Sequence, residues 1–517
     1  MQPAHTRRRL ISTIVPLGIL VLLVMVMLTA GAFTAQSAPI THSNTLNRPQ
    51  DPVVINVSNL PPALLGLGDT SLRLYSYDAM TGIFYPVPYQ VDSVDATGVY
   101  ISPDGSINAN DELVFMADDM LDQVTDPTLI SCTTASIDNC LPIGSTIYEL
   151  KVTDPIGGGD GYLYISTESS CPASSADYIT WNAANQDVTA DYTNIAGVPR
   201  GSFYSLFGGS GSIPPGDQYL GIDNLQVNGS GIDLLDRMKL RIKACFGLGN
   251  FCNIPLELDE SGAAALIPPV FDVPIDGPVR VAVGGGAEPL TVFGYGSRLD
   301  LGVLFDPADL VPPGLTVKVN YLRASFDLND PSAGSNVTHW SDSNGNQYTI
   351  DGIPDAAPAL FDWFQVNDDG ANGGFVMTLS DINPGAGTPG VYYWDNTTSP
   401  PPDNMADTGD NDSYSDTGIK VTNSLATSLS FALNAYILPS GINTPGGDDY
   451  FAWVTNPLGD NTVNTYTTRQ CSTLDIRTAN IGQTHSLVLP LTLLSAIGIL
   501  VVGTLITARA RRRQESL

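Results

Sequence analysis

The sequence predicts an all-β protein: two or three β-sandwich-like extracellular domains carried on a single C-terminal transmembrane helix. Three observations lead there. Strand-length apolar runs recur between turn residues, with 50 Gly and 38 Pro breaking the chain too often for long helices. The carboxylates are overwhelmingly Asp, which favours turns, where Glu would favour helices. Finally, Leu487 to Ile506 is an unbroken apolar run followed by Arg509, Arg511, Arg512 and Arg513. About twenty residues at roughly 1.5 Å each span a bilayer's hydrocarbon, and basic residues straight after such a helix stay cytoplasmic.

The expected organisation, in order, is a signal peptide over 1–38, β domains over 39–170, 171–298 and 299–480, a transmembrane helix over 481–508 and a basic tail over 509–517. Arg7, Arg8 and Arg9 precede an apolar stretch from Ile11 to Leu28, and Ala30-Gly31-Ala32 supplies a small-x-small cleavage pattern. In the first β domain, Val53 to Val57, Leu72 to Tyr77 and Glu112 to Met116 read as strands. Ile83 to Val91 is aromatic but holds Pro86 and Pro88, which predicts an edge or a bend. Ile147 to Val152 and Tyr162 to Ser166 flank a Gly-rich loop and predict a hairpin.

The second domain holds the clearest alternation. Met238, Leu240, Ile242 and Ala244 occupy one parity and Arg237, Lys239, Arg241 and Lys243 the other, predicting a strand with an apolar face inward and a basic face outward. Acids on neighbouring strands are the expected partners of that basic face. Val279 to Val283 and Leu290 to Phe293 continue the sheet. In the third domain, Val317 to Phe326, Gly374 to Leu379 and Leu429 to Leu438 read as strands, and Asn383 to Thr417 as a long acidic loop.

A formal net charge of −31, with charged residues only 15% of the chain, reflects a shortage of Lys and excludes nucleic acid as a partner. Six cysteines (Cys132, Cys140, Cys171, Cys245, Cys252 and Cys471) fall in the predicted exterior, where an even count implies disulfides. Short loops suggest Cys132–Cys140 and Cys245–Cys252, leaving Cys171 with Cys471.

Candidate chemistry is sparse. His339 is the only histidine well inside the exterior, and no Gly-x-Ser-x-Gly elbow accompanies it. Asp355 and Asp362, with Phe361, Trp363 and Phe364, form the best candidate for a sugar-binding or hydrolytic cleft, because glycoside hydrolysis needs two carboxyls and sugars pack on aromatic faces. A second acidic cluster comprises Asp407, Asp410, Asp412 and Asp416.

Asp104-Gly105-Ser106-Ile107-Asn108-Ala109-Asn110-Asp111 resembles the second half of a dockerin-type calcium loop. That resemblance covers eight residues and implies calcium as a cofactor, held by Asp104, Asn108 and Asp111. The earlier ligand positions carry Tyr100 and Ser102, and a strand follows where that family has a helix. Leu489-Pro490-Leu491-Thr492-Leu493 looks like a sortase signal with Leu493 in place of its glycine, lying inside the apolar run.

The functional expectation is a membrane-anchored cell-surface protein with a binding, adhesive or structural role toward a polysaccharide or surface protein. The alternative is an anchored carbohydrate-active hydrolase or lyase that uses paired aspartates.

Overall fold

The structure is a computed structural model. It describes residues 45–467 apart from 127–129, 131–142, 207–221, 223, 229–230, 248–252, 260–272, 285–289, 306–315, 331–337, 369–372, 386, 400, 402–412, 424–427 and 439–445. The expected signal peptide and membrane helix lie outside the described residues. So do Cys132, Cys140, Cys252, Cys471, Asp407, Asp410 and Asp412.

The described chain is nearly all β. Its N-terminal part contributes β1 (Pro52–Asn56), β2 (Arg73–Asp78), β3 (Ile83–Val87), β4 (Gln90–Asp92), β5 (Glu112–Met116), β6 (Thr146–Thr153) and β7 (Asp160–Ser166). Strands β1, β5 and β4 form a three-stranded sheet. The residues of β5 are buried from Leu113 to Met116, so both faces of this central strand are covered and it reads as a continuous apolar run. β3, with its two prolines close by, is the edge strand of a five-stranded sheet, as a residue without a backbone donor requires.

Four strands follow as one meander: β8 (Ile179–Asn182), β9 (Asp187–Thr193), β10 (Pro199–Leu206) and β11 (Asn224–Val227). Two larger sheets are built from β12 (Leu235–Gly247), β13 (Ile254–Leu258), β14 (Ile275–Asp276), β15 (Arg280–Val283), β16 (Leu290–Tyr295), β17 (Arg298–Phe305), β18 (Thr316–Leu328), β19 (Thr338–Asp342), β20 (Gln347–Thr349), β21 (Trp363–Asp368), β22 (Gly374–Asn383), β23 (Thr388–Trp394), β24 (Tyr414–Thr422) and β25 (Leu429–Leu438). One sheet runs β13-β12-β18-β24-β23. The other has nine strands in the order β14-β15-β16-β17-β25-β22-β21-β19-β20. A nine-residue helix, α1 (Gly447–Thr455), precedes β26 (Gly459–Thr467), which returns to pair antiparallel with β6 and completes the N-terminal five-stranded sheet, β26-β6-β7-β2-β3.

Two apolar cores organise these layers. One gathers N-terminal residues such as Leu74, Leu113, Phe115, Leu150 and Leu163. The other extends from Ile179 to Ile437 and includes Met238, Leu322, Trp340, Phe364 and Leu433. The boundary expected at 298/299 therefore falls within the hydrogen-bonded pair β16–β17, and the second and third blocks share a core and sheets. The N-terminal block is also closed by a strand from the far end of the described chain, which no local sequence pattern announces.

The basic face of β12 differs from its expected outward setting. Lys239 and Arg241 are fully buried, as are Arg323 and Asp416 on the neighbouring strands. The apolar parity packs on the core as expected, while the other face is also covered and holds its charges as pairs: Lys239 with Asp327, and Arg323 near Asp416 and over the Tyr392 ring at 4.0 Å. Partnering by acids is what makes such burial tolerable. Asp416, read from sequence within a loop cluster, sits inside β24.

Candidate functional site

A cleft of about 400 Å³ opens where β4 meets the β14–β15 turn. Its polar lining comes from Asp69, Thr70, Tyr89, Asp92, Ser93 and Asp276, with Val91, Ile101, Pro103 and Pro278 among the apolar walls. Size and composition fall in the range of small-ligand sites.

The floor is a built network. Gln90 accepts hydrogen bonds from Val279 N (2.9 Å) and Arg280 N (2.7 Å), and its amide donates to Asp92 (2.6 Å) and to the Arg280 carbonyl (3.0 Å). A Cβ at Gly277 would lie 2.5 Å from the Gln90 Oε1, so a larger residue there would displace the Gln90 amide from these bonds. Arg280, 2% exposed, pairs with Asp92 and donates to Glu112 Oε2 at 2.7 Å. Its guanidinium is flanked by the rings of Tyr100 and Phe293 at 5.0 and 5.2 Å. Burial pushes the Asp92 carboxyl above the usual carboxylate range, with Arg280 opposing that shift. Tyr89 donates to the Leu72 carbonyl, and burial raises its hydroxyl to about 12, so it stays a neutral donor.

Arg73 contributes less charge to the cleft than its position suggests. Its donors go to the carbonyls of Thr70, Leu72, Ser169 and Cys171. The exposed wall is thus richer in acceptors, Asp69 and Asp276 above all, than in cations. Such a lining suits a ligand that offers hydroxyl or amine hydrogens.

The residues chosen from sequence are placed differently. Phe361 and Phe364 are 3% and 2% exposed and pack on Trp340 in the core, where they present no ring to solvent. Trp363 is half-buried. Its indole N–H donates to Asp448 at 2.8 Å, and the ring lies so close to Gly447 that a Cβ there would come within 2.2 Å. Asp355 and Asp362 are both exposed. Asp355 accepts from the Tyr393 hydroxyl at 3.4 Å, and partial burial raises its carboxyl, whereas Asp362 sits just before β21 with its backbone N–H donating to Ser343. Trp363 serves to dock α1, and the two aspartates have separate partners.

Asp104 accepts hydrogen bonds from Ser106 N (3.0 Å) and Asn108 Nδ2 (2.8 Å). Asp111 accepts from Asn108 N (2.6 Å) and Val94 N (3.1 Å). These are turn-closing bonds of the kind aspartate makes in loops. His339 faces solvent on β19. Neither Cys171 nor Cys245 is a free thiol.

The sequence does not mark the cleft residues as a site, although it carries one signal. Arg280 interrupts an otherwise apolar strand, and a charge in such a run needs a buried partner. That partner, Asp92, lies 188 residues earlier.

No family model and no curated protein matches this chain. Among solved structures, the crystal structure of HI1317 has 8% identity and a TM-score of 0.23, covering 50% of this chain and 98% of its own. The native conformation of E. coli alpha-2-macroglobulin has 9% identity and a TM-score of 0.07, covering 78% of this chain and 27% of its own. Neither likeness carries an argument about fold or function.

Proposed function

We propose that the chain is a membrane-anchored cell-surface protein whose exterior binds a hydroxyl-rich ligand, a polysaccharide, in the cleft beside Gln90. The observation that carries this reading is the acceptor-rich wall of Asp69 and Asp276 set on a rigid floor of Gln90, Asp92 and Arg280. A preformed floor matters because binding then spends little on ordering the site. The anchor is the apolar run Leu487 to Ile506 with its arginines.

Retention of the purified protein on a panel of polysaccharides tests the reading, with reducing ends measured in the same samples. Retention without new reducing ends is the expected result. New reducing ends would favour the anchored hydrolase and return attention to Asp355 and Asp362, and no retention on any polysaccharide would contradict a carbohydrate ligand.

Two subsidiary readings belong to this proposal. Disulfides Cys132–Cys140, Cys245–Cys252 and Cys171–Cys471 brace the exterior, which non-reducing peptide mapping tests directly. Calcium at Asp104, Asn108 and Asp111 would have to displace the hydrogen bonds those side chains now make. A fall in melting temperature on chelation would support the ion, and an unchanged one would leave a hydrogen-bonded turn.

A further inference from the structure

Lys239 and Asp327 occupy adjacent strands of the β13-β12-β18-β24-β23 sheet, on the face turned away from Met238 and Ile242. Lys239 lies opposite Ser325, so Asp327 is its diagonal neighbour two residues along β18. Diagonal side chains on one face are within reach of a lysine. The Lys239 Nζ contacts Asp327 Oδ2 directly, and the two side chains are 0% and 1% exposed. The other carboxyl oxygen, Asp327 Oδ1, accepts the Tyr414 backbone N–H at 2.9 Å.

A second carboxyl is placed beside this pair. β24 runs along the other side of β18, and Asp416 falls on it at the level of Asp327, next to the irregularity between Phe326 and Leu328. Asp416 is fully buried, 4.0 Å from the Arg323 guanidinium, and neither of its carboxyl oxygens has a hydrogen-bond partner. Gly418, opposite Ser325, keeps the sheet face low at this point, since a Cβ there would lie 2.1 Å from the Ala324 carbonyl. Lysine, carboxyl and backbone donor thus meet where water has little access, with the second buried carboxyl on the next strand of the same face.

We propose that Lys239 and Asp327 condense to an intramolecular amide that covalently joins β12 to β18. The step is balanced within the protein. A proton passes from the ammonium to the carboxylate, leaving a neutral amine against a neutral acid. The Nζ lone pair adds to Cγ, and the Tyr414 N–H stabilises the oxyanion formed at Oδ1, as backbone donors do in acyl transfer. Asp416 takes a proton from the nitrogen and returns it to Oδ2. The Cγ–Oδ2 bond then breaks and Oδ2 leaves as water with two protons, while Asp416 ends as it began. No oxidant, metal or second substrate is needed. Exclusion of water also favours the product, because the ion pair is costly to keep buried whereas an amide carries no charge. This inference does not depend on the cleft or on its ligand.

The test is a peptide map and intact mass of the purified full chain, denatured and reduced. The expected mass is one water below that of the processed sequence. After trypsin, Met238 to Arg241 should appear uncleaved at Lys239 and joined to the peptide that begins at Ala324. Recovery of Lys239 cleaved as completely as other lysines would overturn the proposal. Lys239→Met should restore the full mass, and a water deficit persisting in that variant would place the loss elsewhere and also overturn it. Asp327→Asn should lose ammonia in place of water and yield the same branched peptide. The wild-type map decides the matter even where a variant fails to fold.

Discussion

Asp119 lies fully buried between β5 and the β8–β11 meander, accepting the Tyr178 hydroxyl and the Ile195 N–H, each at 3.0 Å. Burial, with Asp118 alongside, raises its carboxyl to about 8. In the unfolded chain it would titrate near the ordinary value of about 4. The folded state therefore holds this proton more tightly, and the group's contribution to stability is complete below about pH 4 and is lost as pH rises toward 8. Asp119→Asn, which resembles the neutral acid, should match wild type at pH 4, exceed it increasingly up to pH 8 and then hold a constant advantage. Melting temperatures across that range check this, and parallel curves would contradict it. Gly447 offers a second test. Gly447→Ala drives a Cβ into the Trp363 ring and should destabilise by about 1–3 kcal/mol in denaturant unfolding.

At the level of elements, α1 is held by one arginine. Arg48, 1% exposed, donates to the carbonyls of Trp453 (2.6 Å) and Asn456 (2.7 Å) at the end of the helix and pairs with Asp51 and Asp154. It thereby satisfies helix-end carbonyls that otherwise lack partners. Gln50 adds bonds to the Tyr450 hydroxyl and the Ile437 carbonyl. Arg48→Met should leave buried carboxylates short of a partner and cost about 3–5 kcal/mol, read by equilibrium unfolding. Strands were the legible elements: Leu429 to Leu438 coincides with β25, because an uninterrupted β-rich run between turn residues has few alternatives. The helix was not legible. Its nine residues are too few for a clear period, and what secures it, Arg48 and Trp363, lies far away in sequence.

For the whole molecule, pairing between distant segments explains both what the sequence revealed and what it hid. Period-2 alternation showed that β12 was a strand, yet it could not show that both of its faces would be covered. Arg241 stands opposite Arg323 only because β18 pairs there, more than eighty positions away. The same holds for β26 on β6. Val463→Pro, placed opposite Leu150 in that ladder, should lower the melting temperature of the N-terminal sheet and raise protease access near residue 467. The candidate site was illegible for the same reason: Gln90 and Arg280 become neighbours through tertiary pairing, whereas the aromatic cluster visible in sequence, Phe361 and Phe364, went to the core. Aromatic residues are valuable in either setting, so their presence alone does not separate a binding face from a buried one.

The most direct measurement is a binding titration of a retained polysaccharide with wild type and Asp276→Asn in parallel. Asp276 is exposed on the cleft wall, so the substitution should leave the melting temperature unchanged. Loss of a charged hydrogen-bond acceptor should weaken binding about tenfold or more. Equal affinity in the two proteins, both folded, would show that the ligand does not bind in this cleft.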